Sequence, residues 1–237
     1  MCGKFTQQIT WEQLVTYANL PKAPAGGSEL VTPMRQGRVM TLDDAGERRS
    51  VPMRWGWPDR RPKANINIPR FMHAKSETID VLPTFAESFR KRRGIVAVSG
   101  FNVGQEVPPK KVIQHVITPN DGTPLGIAVI YDRFALPDGG EFLAFVMVTA
   151  APSPAIGALT DRMPAILPPE SWARWLGEGK GSTPADIRGV LQTQSGGWDI
   201  REQQKPPRPA TIGIDSSSCD VPSDGPASGH GSKIPSV

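Results

Sequence analysis

Apolar positions in this 237-residue chain fall mostly into short continuous or alternating runs, not long stripes of helical period. Ile95-Val96-Ala97-Val98, Val112 to Ile117, Gly126 to Tyr131 and Phe142 to Thr149 have strand length and are rich in β-branched and aromatic residues, so they predict strands. Asn120-Asp121-Gly122 and Asp138-Gly139-Gly140 punctuate them as turns. Helical spacing occurs in three places. Over residues 11–19, Trp11, Leu14, Val15 and Ala18 share a face, with Thr10 and Gln13 spaced as a capping box. Residues 84–93 carry Phe85 and Phe89 behind Pro83, a favoured first helical residue. Residues 170–176 follow Leu167-Pro168-Pro169. Residues 25–33 and 37–53 read as loops and short strands, and Val51 to Pro58 as an extended segment ending in a loop, too rich in Pro and Gly for a helix.

Composition narrows the fold. With 24 Gly and 25 Pro, turns are plentiful and the composition argues against an all-helical bundle. The expected fold is one α+β domain over residues 1–204, with a predominantly antiparallel, barrel-like β-sheet and short flanking helices. Residues 205–237 turn Pro-, Ser- and Gly-rich and are expected to be disordered or extended. No repeat of fixed period occurs, and no shift of composition marks a linker within 1–204.

The first eight residues lack the apolar run of an export signal, and no apolar stretch approaches the ~20 residues of a membrane helix. A cytoplasmic protein without membrane contact is expected. Its formal net charge of +4 permits an anionic partner without proving one. The two cysteines, Cys2 and Cys219, exclude a disulfide scaffold and a Cys-rich metal site. The three histidines, at 73, 115 and 230, are too scattered for a conventional zinc motif. No phosphate loop or dinucleotide fingerprint is present, and no cofactor is expected.

Cys2 is the position with distinctive chemistry. Removal of Met1 would leave an amine and a thiol on adjacent carbons. An α-amine titrates near 7.7–8.0, far below a lysine at ~10.4, so part of it is neutral near pH 7. Such an amine forms an imine with an aldehyde, and the neighbouring thiol closes on that imine to give a thiazolidine ring. The same terminus is a candidate N-terminal nucleophile for amide hydrolysis, and an exposed second residue without chemistry is the plain alternative. Arg54-Trp55-Gly56-Trp57, Arg60-Arg61-Pro62-Lys63 and Phe89 to Arg93 mix aromatic surface with positive charge. This is a pattern suited to unpaired bases and phosphates, and equally to a core edge with a solvated basic face. Aldehyde trapping and nucleic-acid binding converge on one substrate, the ring-opened sugar of an abasic site.

The landmarks Met1-Cys2-Gly3-Lys4-Phe5, Arg54-Trp55-Gly56-Trp57-Pro58, His73 to Thr78, Phe89 to Arg93, Gly100-Phe101 and Asp161 to Leu167 occur in an order and spacing that resembles the SOS-response-associated peptidase family, the abasic-site processing proteins. The resemblance covers about residues 1–180. It implies a compact domain around a barrel-like sheet, autoprocessing of Met1, binding of single-stranded DNA or a single-strand/duplex junction, and a thiazolidine crosslink between Cys2 and an abasic site. Catalytic roles are expected for Cys2, His73 and Thr160, and DNA contacts from Lys4, Arg54, Trp55, Trp57, Lys75, Thr149 and Arg162, the alternatives being a structural or binding substitute for His73, a structural salt bridge for Arg162 and a satisfied strand-end hydroxyl for Thr149. A monomer, nucleoid-associated when bound to DNA, is expected. Several family positions differ here. His73 replaces an Asn, Lys4 and Lys75 replace arginines, Val103 replaces a Glu, Gly104 a Trp, and Thr160 a His. Val103 carries no proton, and loss of a placed acid–base group costs ~10²–10⁴-fold in a proton-transfer step. His73 is a candidate substitute base, and Glu106 would need an insertion or loop shift to reach the site. The competing expectations are a DNA-binding homologue without chemistry and a small peptidase or hydrolase built on Cys2.

Overall fold

The computed structural model describes residues 2–7, 29–61, 64–109, 111–178, 183–191 and 196–203, all within one compact unit spanning residues 1–203. The helix expected over 11–19, the tail from Lys205 and Cys219 lie outside the described residues.

In chain order the first strands are β1 (Cys2–Gln7), β2 (Glu29–Val31), β3 (Gln36–Leu42), β4 (Arg48–Trp55), β5 (Trp57–Pro58), β6 (Pro69–Phe71) and β7 (His73–Lys75). Helix α1 (Pro83–Lys91) leads into β8 (Arg93–Val98), β9 (Gly100–Val107), β10 (Lys111–Pro119), β11 (Leu125–Ala135) and β12 (Glu141–Ala150). Then come α2 (Pro154–Gly157), β13 (Met163–Pro164), β14 (Ile166–Leu167), α3 (Trp172–Leu176), α4 (Pro184–Gly189) and β15 (Trp198–Glu202). The α+β, strand-dominated fold matches the expectation. The four runs read as strands and the helices near 84–93 and 170–176 are all present, with ends shifted by a few residues.

The larger sheet follows β12–β4–β3–β8–β11, and β11 pairs back onto β12, so its strands close into a ring. Most of its pairings are antiparallel, but β12 runs parallel to both β4 and β7. A second, antiparallel sheet runs β15–β10–β9–β1–β2.

Two apolar clusters flank the ring, and they explain the continuous apolar runs of the sequence. Successive side chains point to opposite faces of a strand. On β11, Ile127 and Val129 enter one cluster, while Ala128 and Ile130 enter the other. Both faces are covered, so both parities are apolar. One cluster joins Ile95, Ile130 and Val146 to Phe85 and Phe89 of α1 and Trp172 and Trp175 of α3. The other joins Trp55, Val96, Phe145 and Met147 to Phe5, Phe101, Val103 and Ile117 of the second sheet. Gly126 is required where α3 docks, because a Cβ there would lie 2.5 Å from the Trp172 ring.

Arg93 ends both helices. Its guanidinium donates to the carbonyls of Phe89 and Arg90 at 2.6 Å each and of Trp175 at 2.5 Å. Those are last-turn carbonyls of α1 and α3, which a cation satisfies favourably. The basic run read as a DNA face therefore contains one arginine used wholly inside the fold.

Candidate functional site

Cys2 opens β1, and its backbone position is set by β9. Phe5 stands opposite Phe101, and Lys4 opposite Asn102; an irregularity between Cys2 and Lys4 then places Cys2 opposite Val103. A bulge of this kind changes which residues share a face near a strand end. The row continues across the sheet, with Val103 opposite His115 of β10 and His115 opposite Glu202 of β15. Val103 is fully buried. Gly104 leaves room that Val112 and Gln114 occupy, for a Cβ there would lie 2.9 Å from Val112 Cγ1 and 3.1 Å from Gln114 Nε2. Glu106 sits three residues along β9, exposed and opposite Val112. Odd spacing turns it to the other face from Val103, so it does not fill the place of the missing carboxylate.

The neighbouring wall comes from β7, β12 and the segment before β13. Trp55 links it to β1. Its indole lies 5.0 Å from the Phe5 ring and meets the His73 ring edge-on at 6.0 Å, while its Nε1 donates to the Met72 carbonyl at 3.1 Å. His73 is half-buried and pairs with Met147, and Lys75 is exposed and pairs with Thr149. Thr149 is buried. Arg162 is the centre of this corner. It grips Glu77 through two parallel bonds of 2.5 and 2.8 Å and donates to the Thr149 carbonyl at 2.6 Å. The bonds from Arg162 to Glu77 draw the Glu77 carboxyl down to about 2 despite the opposing effect of partial burial. Thr160 is half-buried, two residues before Arg162, with its amide bonded to the Ile156 carbonyl at 3.2 Å.

Three of the expected DNA contacts need correction. Trp55 and Trp57 are fully buried, so neither offers a ring for base stacking. Trp57 packs on Phe85 and Phe134 in the cluster under α1, and its Nε1 donates to the Ala144 carbonyl at 3.0 Å. Both indoles are core residues because each reaches a carbonyl for its one donor while burying its apolar rings. Arg54 points from β4 to the face opposite Trp55, where its guanidinium lies 3.7 Å above the Phe142 ring. Its Nε and Nη2 are buried, and burial lowers its pKa.

The other basic residues of these stretches are largely paired within the chain. Arg60 bonds Asp132 at 2.6 Å and lies over Phe134, Arg92 meets Asp132 at 3.1 Å, and Arg61 and Arg70 share Asp59. Pro62 and Lys63 lie outside the described residues. Among the described residues no group of three or more His, Cys, Asp or Glu could hold a metal ion, and no helix is long and apolar enough to cross a membrane.

Thus the fold gathers His73, Lys75, Thr149 and Arg162 on one corner, ties that corner to β1 through Trp55, and turns Arg54 and Trp57 away. Residues 1–202 match the family described as SOS response associated peptidase (SRAP). The chain belongs to the SRAP family. Among its relatives, the abasic site processing protein YoqW of Bacillus subtilis (strain 168) is 25% identical over 196 residues, covering 81% of this chain and 87% of that protein. The abasic site processing protein YobE of the same organism is 25% identical over 195 residues, covering 81% and 88%. The SRAP fold here superimposes on a crystal structure of a Bordetella bronchiseptica protein with a TM-score of 0.69 at 23% identity, covering 86% of this chain and all of that one. A Bacteroides thetaiotaomicron protein gives 0.68 at 20% identity, covering 84% and 92%.

His115 is the residue of this row that sequence reasoning passed over. It lies 113 positions from Cys2 in an ordinary strand pattern, and only the register of β9 and β10 brings it into the row.

Proposed function

We propose that this protein processes abasic sites in single-stranded DNA or at single-strand/duplex junctions, with Cys2, freed by removal of Met1, forming a covalent thiazolidine with the ring-opened sugar. The observation that carries the reading is the register of β1. Residue 2 of an SRAP-family chain is held opposite residue 103, the family's carboxylate position, and Trp55 ties the same strand to His73. The names of the B. subtilis relatives support the same substrate.

The chemistry balances with the terminus alone. The α-amine adds to the aldehyde carbon, the oxygen leaves as water, and the thiol adds across the resulting C=N bond while its proton passes to nitrogen. The product is a ring with new C–N and C–S bonds, and no oxidant or metal is consumed. Lys75, exposed beside the corner, and Lys4, on β1, serve as phosphate contacts. Each supplies charge without the fork of the arginine it replaces. His73 and Thr160 line the reaction centre. Arg162 is committed to Glu77 and Thr149 and acts by positioning β7. The protein works in the cytoplasm as a monomer, on DNA.

A second reading is favoured by one observation. Val103 and Thr160 cannot move protons as a carboxylate and imidazole do, which suits a homologue that binds the lesion without reacting.

One experiment separates the two. Met-trimmed protein, verified by intact mass, is incubated with a single-stranded oligonucleotide bearing an abasic site and run on a denaturing gel. A shifted band that disappears in Cys2→Ser, with binding to intact single strands preserved, is the expected result. Binding without a band would establish the second reading.

A further inference from the structure

We infer that His115 is the acid–base group of this site, standing in for the carboxylate lost at position 103. The inference rests on the thiazolidine reading and names the residue that makes it workable.

Three observations carry it. The first is register. Cys2, Val103 and His115 occupy one row across β1, β9 and β10. Neighbouring strands lie about 4.8 Å apart, so the row sets His115 about 10 Å along the sheet from residue 2. An imidazole and a sugar carbon bonded to the terminus share that span. Val103, between them, offers only an isopropyl group. The second is the face. Val103 and His115 are directly opposed and so present their side chains to the same side. Ile117, two residues beyond His115, is fully buried on that side in the cluster containing Val103. The third is an unmet hydrogen bond. His115 is half-buried, and its Nδ1 is buried with no hydrogen-bond partner among the described residues. Buried polar atoms are normally paired. A Leu or Phe would fill the same place with no polar atom to satisfy, so the imidazole is suited to a partner that arrives with the substrate. The closest charged neighbour in the row is Glu202, exposed on β15.

The step needs a group that both gives and takes a proton, which imidazole does near neutral pH. After the amine has added, the carbinolamine carries a hydroxyl that leaves only as water. The imidazolium gives that hydroxyl a proton, the C–O bond breaks, and an iminium forms. The neutral imidazole then takes the proton of the Cys2 thiol as sulfur bonds to the iminium carbon, which regenerates the imidazolium. No proton is gained or lost over the cycle beyond the one water released.

The test is single-turnover crosslinking to an abasic oligonucleotide, with affinity for an intact single strand and thermal melting measured in parallel. His115→Gln is expected to slow crosslinking by on the order of 10²-fold, leaving affinity and melting near those of the native chain. Dissolved imidazole is expected to restore part of the rate in His115→Ala, and Val103→Glu to restore part of it in His115→Gln. A merely structural histidine would show no rescue by imidazole, and Val103→Glu would then raise the rates of the native chain and of His115→Gln by the same factor. Should His115→Gln unfold, His115→Thr, with a β-branched residue suited to the strand, takes its place. Native and His115→Gln rates within about threefold of each other, far short of the loss expected for an acid–base group, would overturn the role of His115 while leaving that of Cys2 intact. A native protein that forms no crosslink at all would overturn both.

Discussion

The Arg162 corner and the row that starts at Cys2 adjoin the same apolar cluster but treat their polar groups in opposite ways. At the corner the guanidinium is matched by the Glu77 carboxylate and the Thr149 carbonyl, and the strand that bears His73 and Lys75 is locked to β12. In the row, a buried Val stands beside Cys2 and a histidine keeps a ring nitrogen with no hydrogen-bond partner among the described residues. Cross-strand hydrogen bonds and a forked ion pair are local geometry that a fold preserves for its own stability. Proton-transfer groups answer to the substrate, and the role proposed for His115 would place that function on a different strand. On that proposal the site keeps its frame while its chemistry is redistributed around it.

The largest expected effect comes from cutting the link between the two regions. Trp55 is fully buried and touches Phe5, His73 and Phe145. Trp55→Ala should cost about 3–5 kcal/mol in denaturant unfolding, as for other large-to-small core changes. If it instead weakened DNA binding with stability unchanged, the burial of the indole would not be its role.

A smaller effect is expected at the corner. Arg162→Ala removes the charged hydrogen bond from a mostly buried guanidinium to the Thr149 carbonyl, a loss of about 1.5–3 kcal/mol, to which the half-exposed Glu77 pair adds at most about 1 kcal/mol. Arg162→Lys keeps the charge without the fork and should recover only part of that stability. Equal stability of the two variants would show that charge alone holds β7.

The smallest effect is the pH dependence of the same pair. The Glu77 carboxyl is held at about 2 in the folded chain, chiefly by its bond from Arg162, against an ordinary 4.5. The unfolded chain therefore takes up the proton first as pH falls. The contribution of the pair is complete above about 4.5 and is lost progressively toward 2. Glu77 is half-exposed, so solvent screening keeps the contribution within about 1 kcal/mol. The stability difference between the native chain and Glu77→Gln should shrink as pH is lowered through this window. A constant difference would mean that the two charges are not coupled in solution.

Sequence pattern carried the strands and helices well. Ile95 to Val98 and Phe142 to Thr149 are apolar on both parities because both faces of the ring are covered, and a run of strand length already signals that burial. Pattern misjudged Trp57 and Arg54. An Arg-Trp-Gly-Trp segment has the same composition whether its rings stack on bases or fill a core. Alternation along β4 and the turn into β5 sent Arg54 onto Phe142 and Trp57 under α1. The basic runs leave two readings open for a related reason: the acidic partners Asp132 and Asp59 stand on other segments, and charge counted along the chain does not see them.

What the sequence by itself determined is chemistry that lives in single residues and local order. This covers the strand-rich fold class, the reactive potential of a cysteine at position 2, and the absence of a proton carrier at 103. What only the tertiary structure decided is which residues meet. Cys2, Val103, His115 and Glu202 are separated by 101, 12 and 87 positions and become neighbours through the hydrogen-bond register of four strands. A shift of one residue in any of those ladders would turn a different set of side chains toward the site. Register is set by the whole apolar cluster beneath the sheet, and no short stretch of sequence contains it.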